Sequence, residues 1–185
     1  AYIYAVATHP EHRGKGLCRA LLEDTHAHLK RQGYASAVLV PEQPSLREMY
    51  EKLGYQTCTR VSQFSCGNDA PPLSLQAIGP GEYARLRRIM LPKGGVIQER
   101  ENLPFLAAQA EFFSGSGCLL AAWREGDLLH VMELLGDREL APGIVAGLNC
   151  RQGFFRCPGQ ELPFAMVYPL RENAKKPAYF GLAFD

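Results

Sequence analysis

The feature that most constrains the fold is the opening segment, in which an apolar stretch runs into a basic turn and then into an amphipathic helix. Residues 2–8 (YIYAVAT) are uncharged and rich in aromatic and β-branched side chains, which predicts a strand. Residues 9–15 predict a turn, and residues 16–32 predict a helix with apolar side chains along one face. Gly33 suits the end of that helix. We therefore expect the N-terminus of a helix to follow a strand directly.

The elements that follow continue an alternation of strands and helices. Residues 34–40 predict a second strand, internal and parallel to the first, and residues 55–66 predict a third. Between them we expect a helix that ends at Leu53, with Ser45 as its N-cap and Glu48 completing a capping box. This order of elements predicts an α/β protein with a mixed sheet.

A second segmented pattern begins after residues 67–72 (GNDAPP), which we interpret as a linker between two domains, 1–66 and 73–185. Beyond the linker we expect a strand, two helices, a hairpin, a third helix and two more strands. In chain order these are 73–78, 80–91, 102–113, 118–124, 128–135, a helix after Pro142, 162–170 and 178–184. The hairpin turn is signalled by the residues E-G-D at 125–127.

Composition excludes several classes of protein. The net charge is +1, with 20 basic and 19 acidic residues, so we expect no nucleic-acid partner. No apolar run approaches the roughly 18 residues of a membrane helix, so we expect no membrane partner. The six cysteines show no C-x-x-C spacing and the five histidines no H-E-x-x-H pattern. These patterns predict no metal site, reduced thiols and a cytoplasmic location.

The turn after the first predicted strand has the chemistry of a phosphate site. Its sequence is R-G-K-G-L-C, residues 13–18. Glycines let the backbone approach an anion, the helix N-terminus offers unpaired N–H groups, and Arg13 and Lys15 add positive charge. The Walker A pattern fails because Lys15 precedes a glycine and no Ser or Thr follows. The dinucleotide pattern G-x-G-x-x-G is poor because Arg19 occupies the place of its third glycine.

Two motifs together resemble the GCN5-related N-acetyltransferases. The acyl-CoA loop of that family reads [QR]-x-x-G-x-[GA], which Arg13 and Gly16 match, whereas Cys18 departs from it. A closing-helix motif, Y-E-K-x-G-[FY], is matched by Tyr50 to Tyr55. On these motifs, residues 1–66 resemble the C-terminal half of the family's acyl-CoA N-acyltransferase fold.

The resemblance implies transfer of an acetyl group from acetyl-CoA, as co-substrate, to an amine by direct attack. Tyr50 would be the general acid for the departing thiolate, and Gln43 a weaker candidate for contact with the pantetheine arm. A strand end and the loop would bind the cofactor: Val6, Ala7, Thr8, Arg13, Gly14, Lys15, Gly16, Leu17 and Cys18. The strand end would act through its backbone, in a gap where the two central strands splay apart. No general base is visible in the sequence.

The resemblance also carries expectations about the rest of the chain. The first domain would be N-terminally truncated, without the early helices that usually build the acceptor pocket. Residues 73–185 would be a second, degenerate copy of the fold, because residues 136–143 lack the loop motif and carry acidic side chains. Some tandem relatives use a chain-terminal carboxylate as base, which makes Asp185 a candidate.

The partner that follows from these expectations is a small-molecule or peptide amine, and a homodimer is compatible with them. The main alternative is a non-catalytic acyl-CoA-binding or sensory module, which would keep the loop without needing Tyr50. A structural domain that has lost the ligand is disfavoured by the intact R-G-K-G turn.

Overall fold

A computed structural model describes residues 1–98 and 102–183 of the chain. These residues form two compact units, which differ from the predicted domains. The first unit contains residues 1–59 and 163–177, and the second contains residues 60–162 and 178–183. The division falls before the predicted linker because residues 60–67 form a strand of the second unit's sheet.

Within the described residues the chain has five α-helices and ten strands. The helices are α1 Leu17–Arg31, α2 Pro44–Lys52, α3 Pro80–Met90, α4 Asn102–Ala107 and α5 Ala141–Gly147. The strands are β1 Ser36–Leu39, β2 Gln56–Thr57, β3 Arg60–Gly67, β4 Leu75–Ile78, β5 Glu111–Gly115, β6 Cys118–Glu125, β7 Leu128–Gly136, β8 Gln152–Pro158, β9 Leu162–Pro163 and β10 Met166–Pro169. Short 3-10 turns lie at Pro10–His12 and Arg138–Leu140.

The first unit is built on a three-stranded sheet in the order β1-β10-β2, with both pairings antiparallel. The opening residues add to β1 in parallel, since the Ile3 N–H donates to the Val38 carbonyl and the Val38 N–H to the Ala1 carbonyl, each at 2.8 Å. The predicted strand over residues 2–8 is wrong, because this pairing stops at Ile3 and Ala5 adopts φ +56°. The parallel relation to β1 is confirmed.

Helices α1 and α2 pack on this sheet through a small apolar core. Its buried members are Leu22, Leu39, Tyr50, Tyr55 and Met166. Both helices lie close to their predicted ranges. The capping box was wrong: Gln43 is the N-cap of α2, Pro44 and Ser45 lie within its first turn, and no side chain caps it. Proline is favoured in the first turn of a helix, and the N-cap lies two residues earlier than predicted.

The second unit contains a seven-stranded sheet in the order β4-β5-β6-β7-β8-β3-β9. The hairpin β6–β7 is antiparallel as predicted, whereas β7 and β8 pair in parallel. The predicted mixed sheet is therefore confirmed. Helix α5 packs on one face, where Ile144 and Val145 join Leu120, Leu134 and Phe155 in the core.

Four other predicted elements differ from the structure, and one strand was missed. The helix predicted over 102–113 ends at Ala107, and residues 111–115 form β5. Strand β8 was missed because Gly153 and Pro158 are typical of turns, although its residues alternate regularly between buried and less buried positions. The predicted strands 55–66 and 162–170 are each split in two. Over 178–184 the described part contains only a bridge from Tyr179 to Gly95, and residue 184 lies outside the described residues.

A buried charged cluster joins α3 to β7 in the second unit. The Arg87 guanidinium donates to both carboxylate oxygens of Glu133, Nε to Oε2 at 2.6 Å and Nη2 to Oε1 at 2.9 Å. The Tyr83 hydroxyl donates to the same carboxylate at 3.1 Å, and Arg87 Nη1 donates to the Val96 carbonyl at 2.9 Å. Because each charge has a partner, the cluster is stable in an apolar core.

Candidate active site

The predicted phosphate turn leads into α1 with its backbone open. Gly14 and Gly16 adopt φ values of +73° and +77°, which L side chains rarely adopt. A Cβ placed on either glycine would meet no atom within 4 Å, so the space in front of the turn is free of protein. Gly16 is the N-cap of α1, no side chain caps the helix, and its first turn holds no acid. The first N–H groups of α1 can therefore bind an anion.

The backbone before the turn bends away from β1 and creates a gap. The positive φ of Ala5 follows the last hydrogen bond to β1, so residues 6–8 no longer pair with it. This divergence agrees with the splayed strands that the family resemblance implies. The Thr8 carbonyl accepts a hydrogen bond from Arg13 Nε at 3.2 Å, which ties the end of this segment to the basic turn.

A cavity of about 680 Å³ brings together the predicted residues of the strand end, the turn and α2. Nine of the ten predicted site residues line it: Val6, Ala7, Thr8, Arg13, Gly14, Gly16, Leu17, Cys18 and Tyr50. Lys15 does not line the cavity, and its Nζ lies 3.4 Å from His12 Nδ1. The volume is in the range of small-molecule and cofactor sites.

Sequence reasoning missed six residues that also line this cavity. They are His12, Arg19, Leu46, Met49, Lys52 and Leu53, whereas Gln43 had been singled out. The spacing of Leu46, Met49, Tyr50 and Leu53 is that of one helix face, and this signal could have identified the apolar wall. No sequence pattern marks Arg19 and Lys52 as cavity residues, because their position beside the cavity depends on how α1 and α2 pack.

Charge on the cavity wall is of one sign. Arg13, Arg19 and Lys52 line it, and no carboxylate does among the described residues. A concave surface with several cations and no acid attracts a multiply charged anion.

Tyr50 lies on the cavity wall with its ring in the core of the first unit. The residue is 6% exposed, and its ring meets Tyr55 edge-on with centroids 5.6 Å apart. Burial raises the pKa of Tyr50, and the neighbouring Cys18 raises it further. The phenol is therefore protonated at neutral pH and able to donate a hydrogen bond. Burial also raises the pKa of Cys18, so its thiol is a poor nucleophile.

A hydrogen-bonded pair lies behind Tyr50. His26 Nε2 is 2.7 Å from the Tyr55 hydroxyl, and the imidazole stacks on the Tyr168 ring with centroids 4.0 Å apart. Both His26 and Tyr55 are buried. Burial lowers the pKa of His26, although Glu23 partly opposes this shift, so the imidazole is neutral at neutral pH.

A second cavity of about 290 Å³ lies in the gap between residues 2–6 and the end of β1. Val6, Leu46 and Tyr50 line both cavities, so the two cavities adjoin each other. Glu42 is the one charged residue on the wall of this second cavity within the described ranges. An apolar wall with one carboxylate suits a cationic amine.

Several other predictions concern absences. No group of three or more metal-binding side chains is assembled within residues 1–98 and 102–183. None of the helices in these ranges has the length and apolarity needed to cross a bilayer. All six cysteines are free in the structure. Asp185, the candidate terminal base, lies outside the described residues.

The turn at residues 136–143 in the second unit differs from the phosphate turn. Asp137 Oδ1 accepts a hydrogen bond from the Glu139 N–H at 3.0 Å, so its own carboxylate occupies a donor that an anion would need. At Gly136, a Cβ would lie 2.1 Å from the Gly117 carbonyl oxygen, so the backbone is closely covered. This turn lacks the open space of residues 13–16, and its two acids, Asp137 and Glu139, outweigh the charge of Arg138.

Comparison with known proteins agrees with the geometry. Residues 1–58 match the family model of the acetyltransferase (GNAT) domain, which confirms the predicted resemblance over that segment. No curated protein matches the chain significantly.

Solved structures extend the likeness to the fold of the whole chain. A GCN5-related N-acetyltransferase from Anabaena variabilis matches with a TM-score of 0.66 at 15% identity, over 92% of this chain and 55% of its own. A GCN5-related N-acetyltransferase from Kribbella flavida matches with a TM-score of 0.62 at 17% identity, over 91% and 52%. A tandem GNAT protein of the clavulanic acid biosynthesis pathway matches with a TM-score of 0.56 at 12% identity, over 93% and 75%. The chain thus has the GNAT fold and spans about half the length of the first two proteins.

Proposed function

We propose that this protein is an N-acetyltransferase that moves an acetyl group from acetyl-CoA to an amine by direct attack. The observation that carries the proposal is the 680 Å³ cavity, where an open basic turn, a free strand end and a protonated tyrosine meet. The GNAT model match over residues 1–58 covers all of the first unit's cavity-lining residues.

The residues of this cavity fit an acyl-CoA. Gly14 and Gly16 leave space for a diphosphate, the uncapped N-terminus of α1 supplies N–H donors, and Arg13 adds a formal charge. The backbone of residues 6–8 does not pair with β1, so its N–H and C=O groups can form hydrogen bonds to the amides of a pantetheine arm. Gln43 lines the same cavity and can both donate and accept. Bound there, acetyl-CoA supplies a thioester carbonyl as the electrophile.

Tyr50 is the proposed general acid. Its hydroxyl holds a proton for the sulfur that leaves as the new C–N bond forms and the C–S bond breaks, while the amine loses a proton to solvent or a base. Burial favours this role because it keeps the phenol neutral until charge develops beside it. Positioning of both substrates supplies much of the remaining rate.

The second cavity supports an acceptor position beside Tyr50. A primary amine is cationic at neutral pH, and the Glu42 carboxylate is the charge of opposite sign on that wall. Because the two cavities share lining residues, an amine held in the second cavity would lie next to the acyl group and the Tyr50 side chain.

Replacing Tyr50 with Phe tests the proposed chemistry. Thiol release from acetyl-CoA is followed with a polyamine, an aminoglycoside and a lysine-containing peptide as acceptors. We expect turnover with the best acceptor to fall about 100-fold or more, with the Kd of acetyl-CoA nearly unchanged. Tyr34→Phe, at an exposed tyrosine remote from the cavity walls, is the matched control. Unchanged turnover in Tyr50→Phe would remove its role, and CoA binding without turnover in the native protein would favour the non-catalytic module.

We further propose that the second unit is a degenerate GNAT-like domain without its own CoA site. The self-capped turn at Asp137 supports this reading, as does the likeness to a protein described as a tandem GNAT protein.

A further inference from the structure

The large cavity carries more positive charge than its phosphate turn alone requires. Arg13 belongs to the turn and is tied to the Thr8 carbonyl. Two further cations line the cavity from separate helices, Arg19 from the first turn of α1 and Lys52 from the last residue of α2. No aspartate or glutamate lines this cavity in the part of the chain that the structure describes.

These two side chains are not committed to strong contacts with protein. The Arg19 side chain is 58% exposed, and its ion pair with Glu23 one turn along α1 has an N–O distance of 3.9 Å. Such exposed i,i+4 pairs are weak and exchange readily for a better partner. Lys52 is exposed and has no ion-pair partner among the described residues.

We propose that Arg19 and Lys52 form a second phosphate-binding position that binds the 3′-phosphate of coenzyme A. The site would then distinguish coenzyme A from its dephospho form, which lacks only that group. The inference rests on the proposed function, since it concerns the cofactor of the same cavity. It adds a ligand contact that lies outside the loop motif, on two helices that approach the cavity from different parts of the chain.

The chemistry of a terminal phosphate fits this pair. A phosphate monoester carries a charge of about −1.5 to −2 at pH 7 and three strong acceptor oxygens. Arg19 can donate from its planar guanidinium to two of these oxygens, and Lys52 adds a mobile ammonium. The diphosphate is served by the N–H groups of the turn, so the two anionic parts of the ligand would have separate partners.

Calorimetric titration of the protein with coenzyme A and with dephospho-coenzyme A tests the proposal. We expect the native protein to bind coenzyme A about tenfold more tightly, the factor of one charge-assisted contact at a partly exposed site. In the double variant Arg19→Gln/Lys52→Gln this ratio should fall to nearly one. The affinity for dephospho-coenzyme A should stay within about twofold, which shows that the variant is folded and its turn intact.

Lys30→Gln/Arg31→Gln is the matched control, because it removes the same two positive charges from the last turn of α1, and neither residue lines the cavity. It should keep the tenfold ratio, whereas a ratio that depended only on net charge would fall in both variants alike. Equal binding of the two ligands by the native protein overturns the inference and leaves the proposed function standing. A ratio that survives in the double variant also overturns it. Failure to bind either ligand overturns both proposals.

Discussion

The two units of this chain differ in whether their polar groups have partners within the protein. In the first unit α1 begins at Gly16 without a side-chain cap, and the space in front of the turn is open. In the second unit Asp137 accepts from a nearby N–H group, and the charge of Glu133 is held by Arg87. The first unit thus leaves backbone donors free at the start of a helix, whereas the second unit satisfies these polar groups internally.

The largest expected effect concerns the internally satisfied unit. Glu133→Gln leaves the buried Arg87 charge without its counter-ion and should lower the free energy of unfolding by about 3–5 kcal/mol, measured by denaturant titration. Glu111→Gln breaks the exposed pair with Arg124 and should cost less than about 1 kcal/mol. Similar decreases in the free energy of unfolding for both variants would contradict the expectation that the buried ion pair matters more than the exposed one.

The open turn should respond through binding rather than stability. Gly16→Glu places a carboxylate before the N-terminus of α1 and should weaken coenzyme A binding at least about 100-fold. Gly16→Ala pays the same cost of a side chain at positive φ, about 1–2 kcal/mol, without adding charge. We therefore expect similar melting temperatures for the two variants and much weaker binding only in the glutamate variant. Equal affinities would show that this turn does not bind the phosphates.

The smallest expected effect concerns the hydrogen-bonded pair of His26 and Tyr55 in the first unit. Because burial lowers the pKa of His26, the unfolded chain binds a proton more readily than the folded one. The titration of His26 therefore does not affect the free energy of unfolding above about pH 6.5. It reduces that free energy as the pH falls from there toward the lowered pKa of His26 in the folded protein.

Thermal melting at about pH 7.5 and about pH 5.5 measures this effect. His26→Gln can keep a hydrogen bond to Tyr55 without titrating, so it should lose less stability on acidification than the native protein. His28→Gln, at an exposed position on the same helix, should follow the native protein. An identical pH response in all three proteins would argue against the lowered pKa.

Local signals predicted much of the first unit and of its site. The helices α1 and α2 are delimited by glycines and a proline, and both were placed within a few residues. The loop and closing-helix motifs located nine of ten predicted residues on one cavity. Lys15 does not line this cavity, and its part in cofactor binding stays a prediction, because a formal charge in a loop does not determine the direction of its side chain.

The features that could not be predicted from the sequence are those that depend on pairing between distant strands. Strand β3 was assigned to the first domain because it follows α2 closely, yet its partner β8 lies about 90 residues further along. The residues of β8 look like a loop, since Gly153 and Pro158 are common in turns. Gly153 is required there because a Cβ would lie 2.7 Å from a Val145 methyl group. Such a requirement exists only once α5 has packed on the sheet.

The bend at Ala5 opens a space beside β1 that a paired strand would otherwise fill. Two strands that stay paired are only about 5 Å apart, which leaves no room for a chain of atoms between them. A left-handed alanine costs about 1–2 kcal/mol, so the folded protein carries a local strain at this residue. The surrounding fold maintains this strained conformation without a ligand, so a ligand that inserted into the gap would not have to separate the strands itself.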